Sequence, residues 1–423
     1  MGFRDLVDGI RMVNDQISVK YDMKIASESS ANEPLLFTEI IESPGHKAVT
    51  NIFTRHRLCD AFNVEPGELI DILSWAMENP SDTVLVKPDS APVLENRMEH
   101  TDISVLPIPW HYKEDGGRYQ SSSIIVAQYG GQRNTSFHRQ LLKGPDRTTV
   151  RLVPRHLRTM TNQAHENNED VPIVVVNGPD PLVLLAAAMS FNEPIDELKV
   201  ASALHERLYG TKLELVELPN GVQVPAQSEY AMEARITNKL DDEGPYVDIT
   251  GTVDDIRQEQ VIEYDSIYHR NEPIFHALIP AGVEHMTLMG MPRAPTIKTA
   301  VSEVVTCTDV YLTDGGSGWL SSVVQIVPEK SGDSMRAIEA ALDGHKSMKQ
   351  VIVVDADIDV TNATRVEWAL MTRWQPDTDT LILSDQKGSS LDPSRSVDGT
   401  TSKIGLDATI EPGTDRAPFE SVL

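Results

Sequence analysis

A series of short strand-like segments between residues 120 and 300 most constrains the fold of this 423-residue chain. Each segment carries alternating or continuous apolar residues: SSIIVAQY, TTVRLV, VPIVVVNG, KLELVEL, YVDITGTV and EPIFHALI. Two helical segments, at 180–190 and 195–208, interrupt them. A doubly wound sheet would alternate its strands regularly with helices. The pattern therefore predicts a β-barrel-like middle domain.

The parts of the chain before and after this middle region show the alternation of helices and strands that the middle region lacks. Before it, the spacing predicts a helix over 1–20, a strand at 35–41, a helix near 66–77 and a strand at 82–88. The proline-rich stretch LPIPWHYKEDGGRY then indicates a crossing between domains.

After residue 300, the segments SVVQIVPE, DSMRAIEAALDG, KQVIVVDADIDV and TNATRVEWALMTR predict β-α-β-α. Thr361 is the expected N-cap of the last helix. The polar, turn-rich tail from Asp385 predicts a linker or a disordered end. The overall fold class is α/β (α+β).

Charge and composition exclude several classes of protein. Lys and Arg number 37 against 64 Asp and Glu, so the net charge is −27. A field of that sign repels nucleic acid and anionic membranes, so neither is an expected partner. The longest apolar run, Pro181 to Met189, is too short to cross a bilayer. With two cysteines, Cys59 and Cys307, and no secretory signal, we expect a cytoplasmic protein.

A basic stretch stands out against this acidic background. RNTSFHRQLLKGPDRTTVRLVPRHL, from Arg133 to Leu157, concentrates arginine, lysine and histidine. Such a cluster indicates a local anion, which the residues alone leave open as a phosphate, a substrate carboxylate or an acidic partner.

Three small constellations could carry chemistry. Asn134, His156 and Glu197 form a mixed nitrogen and oxygen set suited to Mn²⁺ or Mg²⁺, although they could equally be a strand-end histidine and a solvated helix residue. Glu243 and Asp248 flank a Gly-Pro turn in DEGPYVD, which could aim both carboxylates into one cleft or be an ordinary acidic turn.

The third constellation is TTSKIGLDAT at 400–409. Its Ser402, Lys403 and Gly405 are residue types found at phosphates. The segment lacks the GxxxxGK[ST] pattern and is therefore no P-loop.

In their order and spacing, these motifs resemble the UbiD family of decarboxylases, which use prenylated FMN. NTSFHR resembles the family's N-x-G-x-x-R segment, VRLVPRH its cofactor-binding strand, and DEGPYVD its E-G-P-[FY]-G-[ED] motif. VIVVDADIDVTNATRVEWALMTRWQPDTD and SKIGLDAT resemble its C-terminal domain and tail. The family usually has glycine where Ser136 and Val247 stand, so the backbone could differ there.

The resemblance implies three domains. Residues 1–112 would form an N-terminal α/β domain, and 113–300 a central split β-barrel that binds the flavin. Residues 301–423 would form a C-terminal α/β domain, whose tail folds back to the cofactor.

The resemblance also implies roles for single residues. Arg139, Glu243 and Asp248 would form the catalytic network, with Asp248 as proton donor and Glu243 orienting Arg139. Asn134, His156 and Glu197 would hold Mn²⁺ or Mg²⁺, with Glu193 and Glu206 as alternatives to Glu197. Carbonyls near Ala186, Ala187 and Met189 would hold K⁺. The implied cofactor contacts are Phe137, His138, Arg139, Arg151, Leu152, Val153, Arg155, His156, Leu157 and Lys403.

The implied activity is non-oxidative decarboxylation of an α,β-unsaturated acid. The chain most resembles the compact archaeal branch, which implies trans-anhydromevalonate 5-phosphate as substrate and isopentenyl phosphate as product in the archaeal mevalonate pathway. A flavin prenyltransferase would supply the cofactor, and a homo-oligomer of two or more chains is expected. The alternatives are a (poly)prenyl-hydroxybenzoate or other aromatic acid decarboxylase, an FMN-dependent oxidoreductase, and a non-catalytic acidic scaffold.

Overall fold

The structure is a computed structural model that describes residues 2–191 and 193–419. The chain divides into two compact units. The first comprises Met1–Phe62 and Ala76–His285, and the second comprises Asn63–Trp75 and Met286–Leu423. Within the described ranges, no helix combines the length and the apolar composition that crossing a membrane requires.

The strands of the first unit are short except for two long ones near its centre. In chain order they are β1 (Arg11–Val13), β2 (Leu35–Phe37), β3 (Lys47–Thr50), β4 (Val84–Leu85), β5 (Asn96–Arg97), β6 (Tyr119–Gln120), β7 (Ile124–Tyr129), β8 (Gln132–Phe137), β9 (Gln140–Leu142), β10 (Arg147–Val150), β11 (Val171–Asn177), β12 (Glu214–Glu217), β13 (Gln223–Pro225), β14 (Tyr230–Glu243), β15 (Tyr246–Val247), β16 (Val253–Asp254), β17 (Arg257–His269) and β18 (Ile274–His276).

The strands of the second unit are β19 (Thr306–Leu312), β20 (Ser321–Val327), β21 (Gln350–Asp355), β22 (Thr380–Lys387) and β23 (Thr400–Ala408). The α-helices of the chain are α1 (Phe3–Val7), α2 (Asp22–Ser29), α3 (Arg55–Phe62), α4 (Pro66–Glu78), α5 (His156–Glu166), α6 (Pro181–Ala188), α7 (Glu197–Tyr209), α8 (Val283–Gly290), α9 (Ala294–Ser302), α10 (Asp333–Gly344) and α11 (Ala363–Arg373). Short 3₁₀ helices lie at Pro88–Ser90, Pro92–Leu94, Ile103–Val105, Met291–Arg293 and Ala417–Phe419.

A nine-stranded sheet dominates the first unit. Its strand order is β6-β9-β10-β17-β14-β11-β7-β8, and β5 pairs with β17. Neighbouring strands are antiparallel throughout, and β14 and β17 form the longest pair. The mixed α/β fold with a strand-rich centre is therefore confirmed. The expected three-domain boundaries stay a prediction.

One apolar core joins this sheet to a smaller one. The smaller sheet has the order β1-β2-β3-β18, and it contributes Leu35, Phe37 and Phe275 to the core. The large sheet contributes Ile125 and its neighbours on β7, β11 and β14, and helix α5 packs against them. The core thus fixes where α5 begins, which matters because the first residues of α5 are the last residues of the basic stretch.

Two local expectations at helix ends were wrong. The helical spacing of residues 1–20 ends at Val7, because β1 then pairs in parallel with β2. The N-cap of α11 is Asn362, whose side chain accepts a hydrogen bond from the backbone N–H of Arg365. Thr361 instead donates to Asp359. Both residue types cap helices well, so spacing alone could not choose between neighbours.

The second unit contains a five-stranded sheet with the order β19-β20-β21-β23-β22. Strands β20, β21 and β23 are parallel, which confirms the expected β-α-β-α pattern. The expectation of a disordered tail was wrong, since 400–408 form β23, which lies between β21 and β22. Composition misled here because the order of β23 comes from strand partners on both sides and from burial of Leu406 and Ala408, which the polar average of the tail conceals.

Gly405 offers a test of how tightly β23 is held. A methyl group at this position would clash with the β-branched side chain of Ile338 on α10. We expect Gly405→Ala to lower the free energy of unfolding by about 1–3 kcal/mol, the usual cost of overpacking. Calorimetry would measure the change, with Ser402→Ala, at an exposed residue of the same strand, as control. Equal melting temperatures for the two variants would contradict this packing.

Candidate active site

Asn134 and Glu197 meet in the first unit, 63 residues apart in the chain. Asn134 lies on β8, and Glu197 is the first residue of α7, after the N-cap Asp196. The Asn134 amide donates to Glu197 Oε1 at 2.8 Å, and the backbone N–H of Thr135 donates to Oε2 at 2.7 Å. Burial raises the pKa of Glu197 to about 8. A cation would stabilise the ionised form of such a carboxylate.

Glu197, and not its neighbours in sequence, is the carboxylate beside Asn134. Glu193 is exposed, and Glu206 accepts a hydrogen bond from Ser81. His156 opens α5, which packs against β8, the strand that carries Asn134. The described residues contain no group of three His, Cys, Asp or Glu side chains that could hold a metal ion, and the expected set includes an asparagine. The three-ligand assignment therefore stays a prediction.

Arg139 is the centre of a second cluster. It lies between β8 and β9, and its side chain is 9% exposed. Nε and Nη2 donate to the two carboxylate oxygens of Glu243, each at 2.9 Å. Nη1 donates to Asp248 at 2.7 Å, and Nη2 also donates to Asp254 at 2.7 Å. Paired contacts of this kind suit the planar guanidinium and would not suit a lysine.

The turn between Glu243 and Asp248 is fixed by backbone contacts. Gly244 has φ +101°, a conformation that favours glycine, and a side chain there would meet the backbone of Asp255. Asp115 accepts from the Val247 N–H at 2.8 Å, which pins the residue before Asp248. Val247 lies in the extended strand β15, so this position requires no glycine. The departure from the family motif therefore leaves Asp248 within reach of Arg139.

Aromatic side chains enclose the cluster. The Arg139 guanidinium lies 4.5 Å from the ring centroid of Tyr246, and Tyr119 donates to Glu243 at 3.1 Å. Burial opposes the charge on Arg139, but the hydrogen bond to Glu243 raises its pKa above the usual value. Burial raises the pKa of nearby Asp115 to about 6. The enclosure therefore strengthens each charge interaction inside it.

Asp254 is the member that sequence reasoning missed. It lies on β16, and the two terminal nitrogens of Arg257 each donate to it at 2.6 Å. Burial opposes ionisation, but the bonds from Arg257 and Arg139 lower the pKa of Asp254 to about 2. Nothing in VDDIR distinguishes Asp254 from its neighbour Asp255. The pairing of β15 with β16, which brings Asp254 back to Arg139, was the missing information.

The rest of the basic stretch is largely neutralised by the protein itself. Arg133 pairs with Asp196, and Arg151 shares Glu259 with Arg158. Arg155 differs, because its contact is the neutral hydroxyl of Ser190. Arg133, Arg139 and Arg151 thus have protein carboxylates as partners, and the expected external anion of the basic stretch stays a prediction.

His138 and Lys403 are both held by backbone carbonyls. His138 bonds to the Arg151 carbonyl at 3.0 Å, and burial lowers its pKa to about 4, so it is neutral at physiological pH. Lys403 lies on β23 in the second unit and donates to the Lys346 carbonyl at 2.6 Å. Its expected contact with a cofactor phosphate stays a prediction.

The segment around α5 fits a flavin mononucleotide. The helix begins without a side-chain cap, so its first backbone N–H groups can bind a phosphate, and Arg155 stands at the N-cap. Val153 is exposed beside it, whereas Leu152 and Leu157 are buried in the core. Phe137 is the last residue of β8, a strand against which α5 packs. This set combines an anion site with apolar surface, as a flavin requires.

Comparisons with known proteins agree over most of the chain. The family model for the 3-octaprenyl-4-hydroxybenzoate carboxy-lyase Rift-related domain matches residues 84–283. The model for the C-terminal domain of the same carboxy-lyase matches 286–408.

Among curated relatives, the anhydromevalonate phosphate decarboxylase of Methanosarcina mazei is 39% identical, over 97% of this chain and 96% of its own. The enzyme of the same name from Methanothermobacter thermautotrophicus is 38% identical, over 94% and 93%.

A solved structure shows the same fold. The UbiD-class enzyme HmfF from Pelotomaculum thermopropionicum in complex with FMN superposes with a TM-score of 0.94 and 32% identity, over 100% of this chain and 97% of that one. An evolved dimeric form of that enzyme, in complex with prenylated FMN, gives 0.89 and 30%. With matches across both units, this chain belongs to the UbiD family of decarboxylases.

Proposed function

We propose that this protein decarboxylates trans-anhydromevalonate 5-phosphate to isopentenyl phosphate. The observation that carries the proposal is that five archaeal relatives, each named anhydromevalonate phosphate decarboxylase, are 35–39% identical over 94–99% of the chain. Gallate decarboxylase of Lactiplantibacillus plantarum, which is named for an aromatic acid, is 26% identical. Whole-length similarity therefore favours the phosphorylated aliphatic acid, and with it a place in isoprenoid biosynthesis through a mevalonate pathway.

Prenylated FMN is the proposed cofactor, and when bound it supplies the electron sink for loss of CO₂. Arg155, the start of α5 and Lys403 would hold its phosphate, and Val153 and Phe137 would contact its ring. Asn134, Glu197 and His156 would hold Mn²⁺ or Mg²⁺ beside the phosphate, because carboxylate and amide oxygens with one imidazole suit these ions. The proposal also includes a K⁺ held by backbone carbonyls near Ala186, Ala187 and Met189. A flavin prenyltransferase would supply the cofactor, and the chain would form a homo-oligomer.

The chain's own residues orient the substrate and move a proton. Arg139 attracts the substrate carboxylate, and Glu243 holds its guanidinium in plane through two bonds. After CO₂ leaves, Asp248 donates a proton to the carbon that carried the carboxylate. Tyr246 and Tyr119 exclude water from this step.

The activity itself can be tested directly. We expect the protein, co-expressed with a flavin prenyltransferase, to show flavin absorbance and to release CO₂ from trans-anhydromevalonate 5-phosphate. Gallate and a prenylated hydroxybenzoate are the comparison substrates. Faster CO₂ release from either aromatic acid would favour the aromatic assignment, and NAD(P)H oxidation without CO₂ would favour an oxidoreductase.

Asp248→Asn keeps the size of the side chain but removes its acidic proton. We expect decarboxylation to fall by roughly 10²–10⁴-fold, the usual contribution of general acid catalysis, with flavin still bound. Turnover at full cofactor occupancy, together with deuterium incorporation from D₂O, would measure the effect. Arg139→Lys should also lose decarboxylase activity, because the lysine ammonium cannot make the paired hydrogen bonds of the planar guanidinium. Near-normal turnover of Asp248→Asn would assign the proton to Glu243, His138 or water.

Glu197→Gln removes the charge of the proposed metal ligand, keeps the size of the side chain, and leaves one oxygen to accept from Asn134 or Thr135. We expect metal affinity to fall at least about tenfold, since loss of a residue that only orients a ligand already costs about 10–100-fold, and flavin to bind more weakly. Elemental analysis and flavin titration would measure both. Glu193→Gln is the matched control, because Glu193 is an exposed glutamate four positions earlier. Equal metal content in both variants would remove Glu197 from the site.

A further inference from the structure

Ser136, where the family usually has glycine, lies on β8 between two residues of the site. Side chains alternate between the two faces of a strand, so Asn134 and Ser136 point to the same face. His138 continues that spacing just after β8 ends. The backbone of Ser136 is part of the strand, so the position requires no glycine, and its hydroxyl is a group that the family motif lacks.

The Ser136 hydroxyl lies between the side chains of Asn134 and His138. Its Oγ donates to Asn134 Oδ1 at 2.9 Å, and the same Oγ lies 3.0 Å from His138 Nε2. Asn134 and His138 are buried, and Ser136 is half-buried. Bulk water therefore has little access to these two contacts.

The tautomer of His138 makes its Nε2 an acceptor. Nδ1 lies 3.0 Å from the carbonyl oxygen of Arg151, which can only accept, so Nδ1 carries the ring hydrogen. Burial lowers the pKa of His138 to about 4, so the ring is neutral at physiological pH and Nε2 carries no hydrogen. The single hydrogen of the Ser136 hydroxyl therefore faces two acceptors, Nε2 and Asn134 Oδ1, and can serve only one of them at a time.

A divalent cation would decide between these two acceptors. The Asn134 amide nitrogen donates to Glu197, which leaves the amide oxygen as the atom that a metal ion would bind. A cation and a hydroxyl hydrogen are both positive, so they compete for that oxygen. With a cation bound there, the better acceptor for Ser136 is the neutral nitrogen of His138.

His138 in turn is linked to the backbone of Arg139. It immediately precedes Arg139 in the chain, and its Nδ1 binds the carbonyl of Arg151. The backbone N–H of Arg151 donates to the carbonyl of Arg139 at 3.1 Å. A hydrogen bond gained at His138 Nε2 therefore acts on the segment that positions Arg139.

We propose that Ser136 is a positioning residue whose hydroxyl donates to Asn134 in the metal-free protein and to His138 when a divalent cation binds Asn134. The metal site is thereby coupled to the segment that carries Arg139. The inference rests on the proposed metal-binding role of Asn134, but it requires neither turnover nor a particular substrate.

Nitrogen NMR of the histidine rings tests where the hydroxyl hydrogen goes. The protein is labelled with ¹⁵N at histidine, saturated with FMN, freed of metal by a chelator and titrated with Mg²⁺ at neutral pH. The His138 signals are assigned by their loss in His138→Gln. We expect the Nε2 signal to move to lower frequency as Mg²⁺ binds, because an imidazole nitrogen shifts in that direction when it accepts a hydrogen bond. Saturating Mg²⁺ should produce no such shift in Ser136→Ala.

The affinity for Mn²⁺ is a second measurement that does not depend on the NMR signals. Electron paramagnetic resonance of free Mn²⁺ should show that Ser136→Ala binds the ion about tenfold more weakly, the usual cost of losing a group that orients a metal ligand. Ser29→Ala is the control, since it removes an exposed serine hydroxyl on α2. This control should leave both measurements unchanged.

The inference is overturned if the wild-type protein binds neither ion, if its Nε2 signal does not move with Mg²⁺, or if the signal moves equally in Ser136→Ala. Equal Mn²⁺ affinity in Ser136→Ala and Ser29→Ala, or complete loss of binding in Ser136→Ala, would also overturn it. CO₂ release without a His138 shift would leave the proposed function intact and remove the coupling. The shift without CO₂ release from any acid offered would do the opposite.

Discussion

The site depends on the ion pairs between the nearly buried side chain of Arg139 and three carboxylates. A buried charge without a partner costs several kcal/mol, so neither Arg139 nor the fully buried Glu243 could occupy its position alone. The segment between β8 and β9, the end of β14, and the β15–β16 pair must therefore assemble together. This requirement places a functional cluster at a point where the large sheet and a two-stranded extension meet.

Local sequence predicted much of this arrangement, but only where the signal was itself local. Apolar runs located β7, β11 and β21, and DEGPYVD located Glu243 and Asp248, because strand periodicity and a Gly-Pro turn are properties of a few consecutive residues. The contact between Asp254 and Arg139 depends on a pairing across 115 residues. Strand β23 shows the same limit, since its order depends on pairing with distant strands on both sides and on the core that Leu406 and Ala408 join.

The acidic character of the chain also shapes the site. With a net charge of −27, the protein repels an anionic substrate at long range, and salt screens that repulsion within about 10 Å at 0.1 M ionic strength. Local cations must then provide the attraction. Arg133, Arg151 and Arg158 are already paired with protein carboxylates, whereas Arg155 contacts a neutral hydroxyl. The charge available for a phosphate is therefore concentrated at the start of α5.

In the proposed mechanism, the hydrogen bonds of Arg139 would link substrate binding to proton transfer. A guanidinium has five N–H donors, and four donor contacts from Arg139 reach Glu243, Asp248 and Asp254. A substrate carboxylate therefore cannot accept two parallel hydrogen bonds from Arg139 while all three protein carboxylates remain bound to it. Protonation of Asp248 weakens its bond to Nη1, because a neutral acid is a poorer acceptor than a carboxylate. In the proposed mechanism, the proton that Asp248 later donates is thus the same proton that opens Arg139 to the substrate.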